Sequence, residues 1–455
     1  MAGAAREFRA VVDPRTGAVL REVPLLAAAE VPGIAATAAA AAAGWAATPL
    51  ADRVAAVTRF AAELERRSPE LAGAYSQEHG KTRPEATAEL ARAVETIRWA
   101  AAAAGRLLAP AALPAAGPWP RRLHLDPAGP VLAIVPWNFP AVVLARKLAP
   151  ALVVGCPVAV KAAEETPAVA TGIVEAAAAG LPDGVLQLVF AAPAESEALV
   201  RRPEFRHVTF TGSTAVGCRV AAAAAEHLTP CTLELSAHAP AIVTATADLP
   251  AAANALAAAK FGSAGQSCSA PSRLLVHTAR FEEFLGHFAA AAPPLEGPDT
   301  PAGMGPLNSD RRRGAVHALV GDAVRRGAGV VLGGALPAGP GWYYPATILR
   351  DVPAGAQLRQ QEPFGPVAAV LPYTTEDEAV AIANETRYAL TASVFGAEAS
   401  CRALARRLDA GSVSINCAPG AAADAPLGGR RASGYGYEGG DQGLLSFTRR
   451  QLLTG

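Results

Sequence analysis

Apolar positions early in the chain recur at helical spacing. In "ADRVAAVTRFAAELERR" the residues Val54, Val57, Phe60 and Leu64 fall on one face, with Arg and Glu on the other. The first hundred residues therefore read mostly as helix. The spacing breaks in "LLAPAALPAAGPWPRRLHLDPAGP", where proline and glycine punctuate the run. That stretch predicts an excursion away from the domain, suited to meeting a partner subunit.

From Val131 the pattern changes. Short apolar runs, "VLAIV", "PVAVK", "VLQLVF", "HVTFTG" and "CTLEL", read as strands, and helical stretches begin near Ala141, Pro167, Ala194 and Thr214. Continuous apolar strands alternating with helices predict a parallel sheet covered on both faces. The alternation resumes in "RLLVH", "GVVLGG", "VAAVLPY" and "GSVSIN", which suggests a second α/β unit. The C-terminal "LLSFTRRQLL" reads as an edge strand or an oligomerisation arm. No internal repeat emerges.

Composition narrows the function classes. The chain has 455 residues, enough for two or more packed units. Half of it is apolar with only 5% aromatics, so alanine supplies much of the apolar count and favours helix. Basic and acidic residues balance at 40 each, which argues against nucleic acid or an anionic membrane as a main partner. The charged start lacks the apolar core of a signal peptide, and Glu30 and Pro32 interrupt the alanine-rich stretch from Leu25 to Ala47, so no membrane span is expected. The six cysteines are scattered without a CxxC pair or a His/Cys cluster. Free thiols, a cytoplasmic setting and no metal are the expectation.

One thiol stands apart. In "FGSAGQSCSAPSR" the neighbours of Cys268 are small and turn-prone, leaving room for something to approach it. In open α/β sheets chemistry gathers beyond the carboxyl ends of strands. There the chain places Pro136-Trp137-Asn138-Phe139-Pro140, then Lys161 with Glu164, then Thr211 to Gly217, and Glu234 at the end of "CTLEL".

Together "PWNFP", "FTGSTAVG", "LELSAHAP", "GQSCSA" and "EPFGP" resemble, in order and spacing, the NAD(P)-dependent aldehyde dehydrogenase superfamily. The likeness extends to "PLGGRRASGYG" and covers essentially the whole chain. It is nearest to the succinate-semialdehyde and lactaldehyde dehydrogenase-like members. It implies an α/β fold of two Rossmann-like parallel-sheet domains plus a small β oligomerisation element: a dinucleotide-binding domain over 1–236 interrupted by the excursion 108–130, a catalytic domain over 237–430, and a C-terminal oligomerisation arm over 431–455. It implies an aldehyde substrate, NAD (or NADP) as cofactor, and a homodimer or homotetramer.

The resemblance assigns roles that chemistry supports. A thiolate at Cys268 adds to the aldehyde and leaves a thioester after hydride loss. Asn138 and the Cys268 N–H would receive the oxyanion, and Glu234 would activate water. Lys147 would relay protons, although a solvated lysine would look the same in sequence. Pro136, Trp137, Lys161, Glu164, Gly212, Ser213, Gly217, Leu235, Glu362 and Phe364 would contact cofactor. Glu164 would accept ribose hydroxyls and repel a 2′-phosphate, favouring NAD. Gly-Ser-Thr at 212–214 is also a plain helix cap. Arg146, Ser267 and Ser269 are candidate substrate contacts. Arg146 matches one of two arginines that clamp a substrate carboxylate in succinate-semialdehyde dehydrogenases, and the second would fall at Gly262. As a helix-surface ion pair, Arg146 would read the same.

Some positions depart from the family. Ser236-Ala237 replaces the usual Gly-Gly after the base, Ser263 a common asparagine, and Leu427, Arg431 and Tyr437 the usual Phe, Lys and Arg. The few aromatics weigh against a pocket built to stack large aromatic aldehydes. The run from Gly434 to Gly439 satisfies GxGxxG but has no βαβ unit after it, so it is set aside. Two alternatives stay open: acyl transfer to coenzyme A instead of water, and a non-catalytic scaffold.

Overall fold

The computed structural model describes residues 6–296, 303–417, 420 and 422–455. A hairpin of β1 (Phe8–Val12) and β2 (Val19–Pro24) opens the chain, ahead of the helices α1 (Val31–Ala47), α2 (Leu50–His79) and α3 (Arg83–Leu107). Val57, Phe60 and Leu64 are buried as their spacing predicts. Gly80 ends α2 at φ +90, and Thr82 with Glu85 forms the capping box that starts α3. Lys81 is thereby held between two sharply defined helix ends.

The excursion folds as a second hairpin, β3 (Ala111–Ala116) and β4 (Trp119–Pro127). Next come β5 (Val131–Ile134), α4 (Pro140–Val154), β6 (Val158–Ala162), α5 (Pro167–Ala178), β7 (Leu186–Phe190), α6 (Pro193–Val200), β8 (His207–Thr211), α7 (Thr214–Ala225) and β9 (Cys231–Glu234). The second unit holds β10 (Pro240–Val243), α8 (Leu249–Phe261), β11 (Arg273–His277), β12 (Gly329–Leu332), β13 (Thr347–Arg350), β14 (Val367–Tyr373), β15 (Tyr388–Ala389), β16 (Thr391–Phe395) and β17 (Ser412–Ile415). The chain closes with β18 (Arg430–Arg431), β19 (Gly434–Tyr435), a short helix Gly440–Leu445 and β20 (Thr448–Thr454).

Two large sheets result. The first runs β19-β9-β8-β5-β6-β7, parallel except for β19; the second runs β12-β13-β14-β11-β10-β16-β17, parallel except for β12. Central strands of both sheets are buried on both faces: Val131, Ala133, Val158, Val160 and Val208 are fully buried in the first, and Ala241, Leu274 and Val370 in the second.

The segment 431–455 is more than the arm expected from sequence. β20 pairs with β4 in a three-stranded sheet with β3, but β19 pairs with β9, setting Gly434 opposite Glu234. A Cβ at Gly434 would sit 1.9 Å from the Leu233 carbonyl oxygen, so only glycine permits this pairing. Among the described residues no single helix is long and apolar enough to cross a membrane, and no group of His, Cys, Asp and Glu could hold a metal.

Candidate active site

The carboxyl ends of β5, β6, β8 and β9 open onto a cavity of about 1710 Å³ that reaches the loop carrying Cys268. Cys268, Asn138, Glu234, Arg146, Ser267 and Ser269 line it. So do Pro136, Trp137, Lys161, Glu164, Gly212, Ser213, Leu235, Glu362 and Phe364. Two expected residues do not. Gly217 faces Leu235, whose Cδ2 lies 2.4 Å from where a Cβ would stand, so this glycine serves close packing of α7 on β9. Lys147 lies behind the cavity wall.

The thiol loop follows a tight turn in which Ser263, Ala264 and Gly265 all have positive φ. A Cβ at Gly265 would lie 2.2 Å from the Gly365 carbonyl oxygen, while at Gly262 it would meet open space. Buried Gln266 anchors the loop: its Nε2 donates to the Ser263 carbonyl (3.1 Å), and its Oε1 accepts from the Asn308 N–H (2.9 Å). The Gln266 carbonyl accepts from Asn138 Nδ2 at 3.1 Å, which leaves that amide one further proton to give. Ser269 Oγ stands 4.0 Å from the Cys268 sulfur. Burial pushes the Cys268 thiol up to about 12, with the Glu362 and Glu234 carboxylates adding to the rise.

Glu234 ends β9 and is buried, and neither of its oxygens meets a well-aligned donor among the described residues. Burial raises it well above the ordinary carboxylate range, the Glu438 carboxylate raises it further, and the Lys147 and Arg146 cations oppose. Lys147 is fully buried, which rules out the solvated-lysine reading. Its Nζ donates to Thr209 Oγ1 (2.7 Å) and pairs with Glu438, which also accepts from Thr211 Oγ1 (3.0 Å). Arg146 is likewise buried and not a surface ion pair.

Glu438 is the residue that sequence reasoning missed. It sits inside the glycine run set aside as a false fingerprint, and its proximity depends on β19 crossing to β9. An acid amid turn-forming glycines close to the chain end was the one available hint.

In the other half of the cavity Lys161 and Glu164 pair at 2.6 Å. Ser213 caps α7, accepting from the Val216 N–H at 3.4 Å, so the plain cap is present beside the cavity. Ser236 Oγ accepts from the Thr214 N–H (3.4 Å), and the Ser236 carbonyl accepts from Ser433 Oγ (2.7 Å), which ties this departure from Gly-Gly into the fold. Burial pushes Glu362 up to about 8 against the opposing Ala237 N–H. The Trp137 and Phe364 rings meet edge to face at 5.8 Å.

The donor set suits a dinucleotide: a carboxylate with a lysine beyond β6 for one ribose, a helix N-terminus for a pyrophosphate, and a second carboxylate beside two aromatic rings for the other ribose. Together with a buried thiol, an amide donor and a raised carboxyl in the same cavity, this is the donor set of a nicotinamide-dependent oxidoreductase. The chain belongs to the aldehyde dehydrogenase family, whose model matches residues 1–453. It is 39% identical to the 4-(hydroxymethyl)benzenesulfonate dehydrogenase TsaD1 of Comamonas testosteroni, over 98% of this chain and 94% of that protein. It is 36% identical to the NADP(+) succinate-semialdehyde dehydrogenase of Deinococcus radiodurans, again over 98% and 94%. The crystal structure of PnpE from Pseudomonas sp. WBC-3 superposes with a TM-score of 0.95 at 30% identity, covering 99% of this chain and 94% of that one. The protein is thus an NAD(P)-dependent enzyme that oxidises an aldehyde to a carboxylic acid.

Proposed function

We propose that the aldehyde carries an anionic tail and that Cys268 attacks its carbonyl carbon. Cys268 gives its proton to solvent in the cavity as the C–S bond forms, and the carbonyl oxygen takes the negative charge. The free proton of Asn138 Nδ2 and the Cys268 N–H receive that oxyanion. A nicotinamide, when bound, supplies the hydride acceptor that turns the adduct into a thioester. Lys161 and Glu164 would hold the adenosine ribose and Glu362 the nicotinamide ribose. Glu164 beside the ribose favours NAD over NADP, because a 2′-phosphate would meet a carboxylate. Glu234 then takes a proton from water as the water oxygen attacks the thioester carbon; the C–S bond breaks, the acid leaves, and Glu234 hands that proton to the departing sulfur, which restores the thiol. A raised Glu234 suits this task, since burial makes its carboxylate a stronger base than an exposed one.

The observation that carries the substrate reading is Arg146, buried on α4 yet lining the cavity with Cys268. Arg92 on α3 lines the same cavity, and the bare Gly262 leaves room for a bulkier tail between thiol and cations. Relatives named for a sulfonate and for a semialdehyde support an anionic substrate. Exposed Trp119, Leu452 and Leu453 on the three-stranded sheet support a homodimer or homotetramer, which light scattering would test. A cytoplasmic setting is in keeping with the free thiols. The decisive experiment compares kcat/KM for carboxylated, sulfonated and neutral aldehydes, with NAD and NADP separately, in the parent and in Arg146→Met. A charge-assisted hydrogen bond of about 1.5–3 kcal/mol predicts a loss of roughly tenfold to a hundredfold for anionic aldehydes alone. Equal losses for neutral aldehydes would refute the reading.

A further inference from the structure

Against the main chain of Asn138 lies a buried polar lattice whose hydrogen bonds, among the described residues, reach neither Cys268 nor Glu234. Lys81, Glu89, Tyr75 and His79 are all essentially without solvent exposure. The Lys81 ammonium has three protons and uses each: one to Glu89, one to Tyr75 Oη at 2.7 Å, and one to the Asn138 main-chain carbonyl at 2.8 Å. The second lone pair of that carbonyl takes His79 Nε2 at 3.0 Å. Because the acceptor is a carbonyl, Nε2 carries the imidazole proton. Glu89 is also saturated. Its Oε2 accepts from Lys81 and Tyr75, and its Oε1 accepts from the Ala141 and Val142 N–H groups at the start of α4 (3.0 and 3.3 Å). The Phe139 ring lies 3.6 Å from Lys81 Nζ, closing the lattice against the next side chain.

The cost of such burial is high. A lysine–glutamate pair out of water loses several kcal/mol of hydration per ion, and apolar residues of the same volume would often hold the fold as well. Stability alone gives no reason to put a full cation on the carbonyl of Asn138. What the lattice does is clamp the peptide between Asn138 and Phe139 from behind. With the side-chain amide tied forward to the Gln266 carbonyl, the last Nδ2 proton keeps one direction.

We infer that Lys81, held in place by Glu89 and Tyr75, is a positioning residue that aims the Asn138 amide at the developing oxyanion. The inference rests on the reading of Asn138 as that donor. Losing such a donor outright costs about 10²–10³ in rate, and displacing it by an ångström up to about 10². The test uses the whole chain and four variants. Lys81→Met combined with Glu89→Gln removes both charges together, Tyr75→Phe removes the hydroxyl's bonds to Lys81 and Glu89 while keeping the ion pair, and Asn138→Ala measures the donor itself. Three quantities are read: the pre-steady-state rate of NADH formation at saturating cofactor, the NAD dissociation constant, and the alkylation rate of Cys268 by iodoacetamide, a displacement with no oxyanion. The first should fall roughly tenfold to a hundredfold in the double variant and less in Tyr75→Phe, while the other two stay within about twofold. Lys81→Arg in the Glu89 background, which keeps several donors, should recover part of the loss. If Asn138→Ala slows NADH formation but neither lattice variant does, the inference fails and the donor reading stands. If Asn138→Ala has no effect, the donor reading fails first. A parallel loss in all three quantities would assign the lattice to folding and overturn the inference.

Discussion

Lys147→Met removes a cation from a wholly buried pair, and the structure specifies what remains. Glu438 keeps Thr211 Oγ1, at 3.0 Å, and the nearby Arg146 cation, while Thr209 Oγ1 loses its 2.7 Å donor. Stripping one partner from a buried ion pair typically costs about 3–5 kcal/mol. Unfolding entropy near 2.1 cal/mol/K per residue over 455 residues is about 1 kcal/mol/K, so the midpoint should drop by about 3–5 °C if the chain unfolds as one unit. Combining the change with Glu438→Gln removes both charges and should recover most of that loss. The electrostatic effect has a definite sign. Lys147 opposes the rise of Glu234 and Glu438 promotes it. Lys147→Met should therefore push Glu234 higher still, and Glu438→Gln should let it fall. With Glu234 as the proposed base, thioester hydrolysis needs its carboxylate, so the pH profile should move to higher pH in the first variant and to lower pH in the second. Differential scanning calorimetry and stopped-flow separation of the NADH burst from steady-state turnover read the two effects. An unchanged midpoint, or profiles that move together, would refute the reasoning.

Three further outcomes follow from single residues. Gly265→Ala would place a Cβ 2.2 Å from the Gly365 carbonyl oxygen at a φ of +70, so the thiol loop should shift and the NADH burst rate fall more than tenfold, roughly; a burst rate equal to the parent's would contradict that. In the cofactor-free enzyme, iodoacetamide alkylation of Cys268 should keep rising with pH, about tenfold per unit, past the range where an ordinary thiol levels off, since burial pushes it up to about 12; a plateau near 8.5 would contradict this. Glu78 is pushed up from 4.5 to about 7 by burial, so its neutral form suits the fold: the stability it contributes is complete below about 4.5 and lost as pH rises through about 7. Glu78→Gln should thus gain thermal stability over the parent between about pH 5 and about pH 8, and a constant difference would count against it.

Strands buried on both faces were readable because their apolar runs are continuous: β5, β6, β7, β8 and β9 lie where "VLAIV", "PVAVK", "VLQLVF", "HVTFTG" and "CTLEL" put them. The hairpin of β1 and β2 was not, since its exposed charges hide any alternation. Two-residue strands such as β18 and β19 carry no period at all, and their pairing depends on chain segments far apart in sequence. The same reason hid half of the site. Cys268, Asn138 and Glu234 stand in short contiguous motifs, which is why a family resemblance could point to them. Glu438 reaches Lys147 across 291 positions, and Lys81 meets the Asn138 carbonyl across 57. Charge and burial at such positions are set by tertiary neighbours, so a solvated and a buried lysine look alike until the fold is known.

The most direct test of the central claim uses Glu234→Gln, which should form the thioester and fail to hydrolyse it. The variant is mixed with aldehyde and NAD, quenched in acid within the burst, digested and weighed by mass spectrometry. The account predicts an acyl group on the peptide bearing Cys268, approaching one per chain, and no adduct in Cys268→Ala. NADH formation without that adduct, or an acyl group on any other residue, would contradict it.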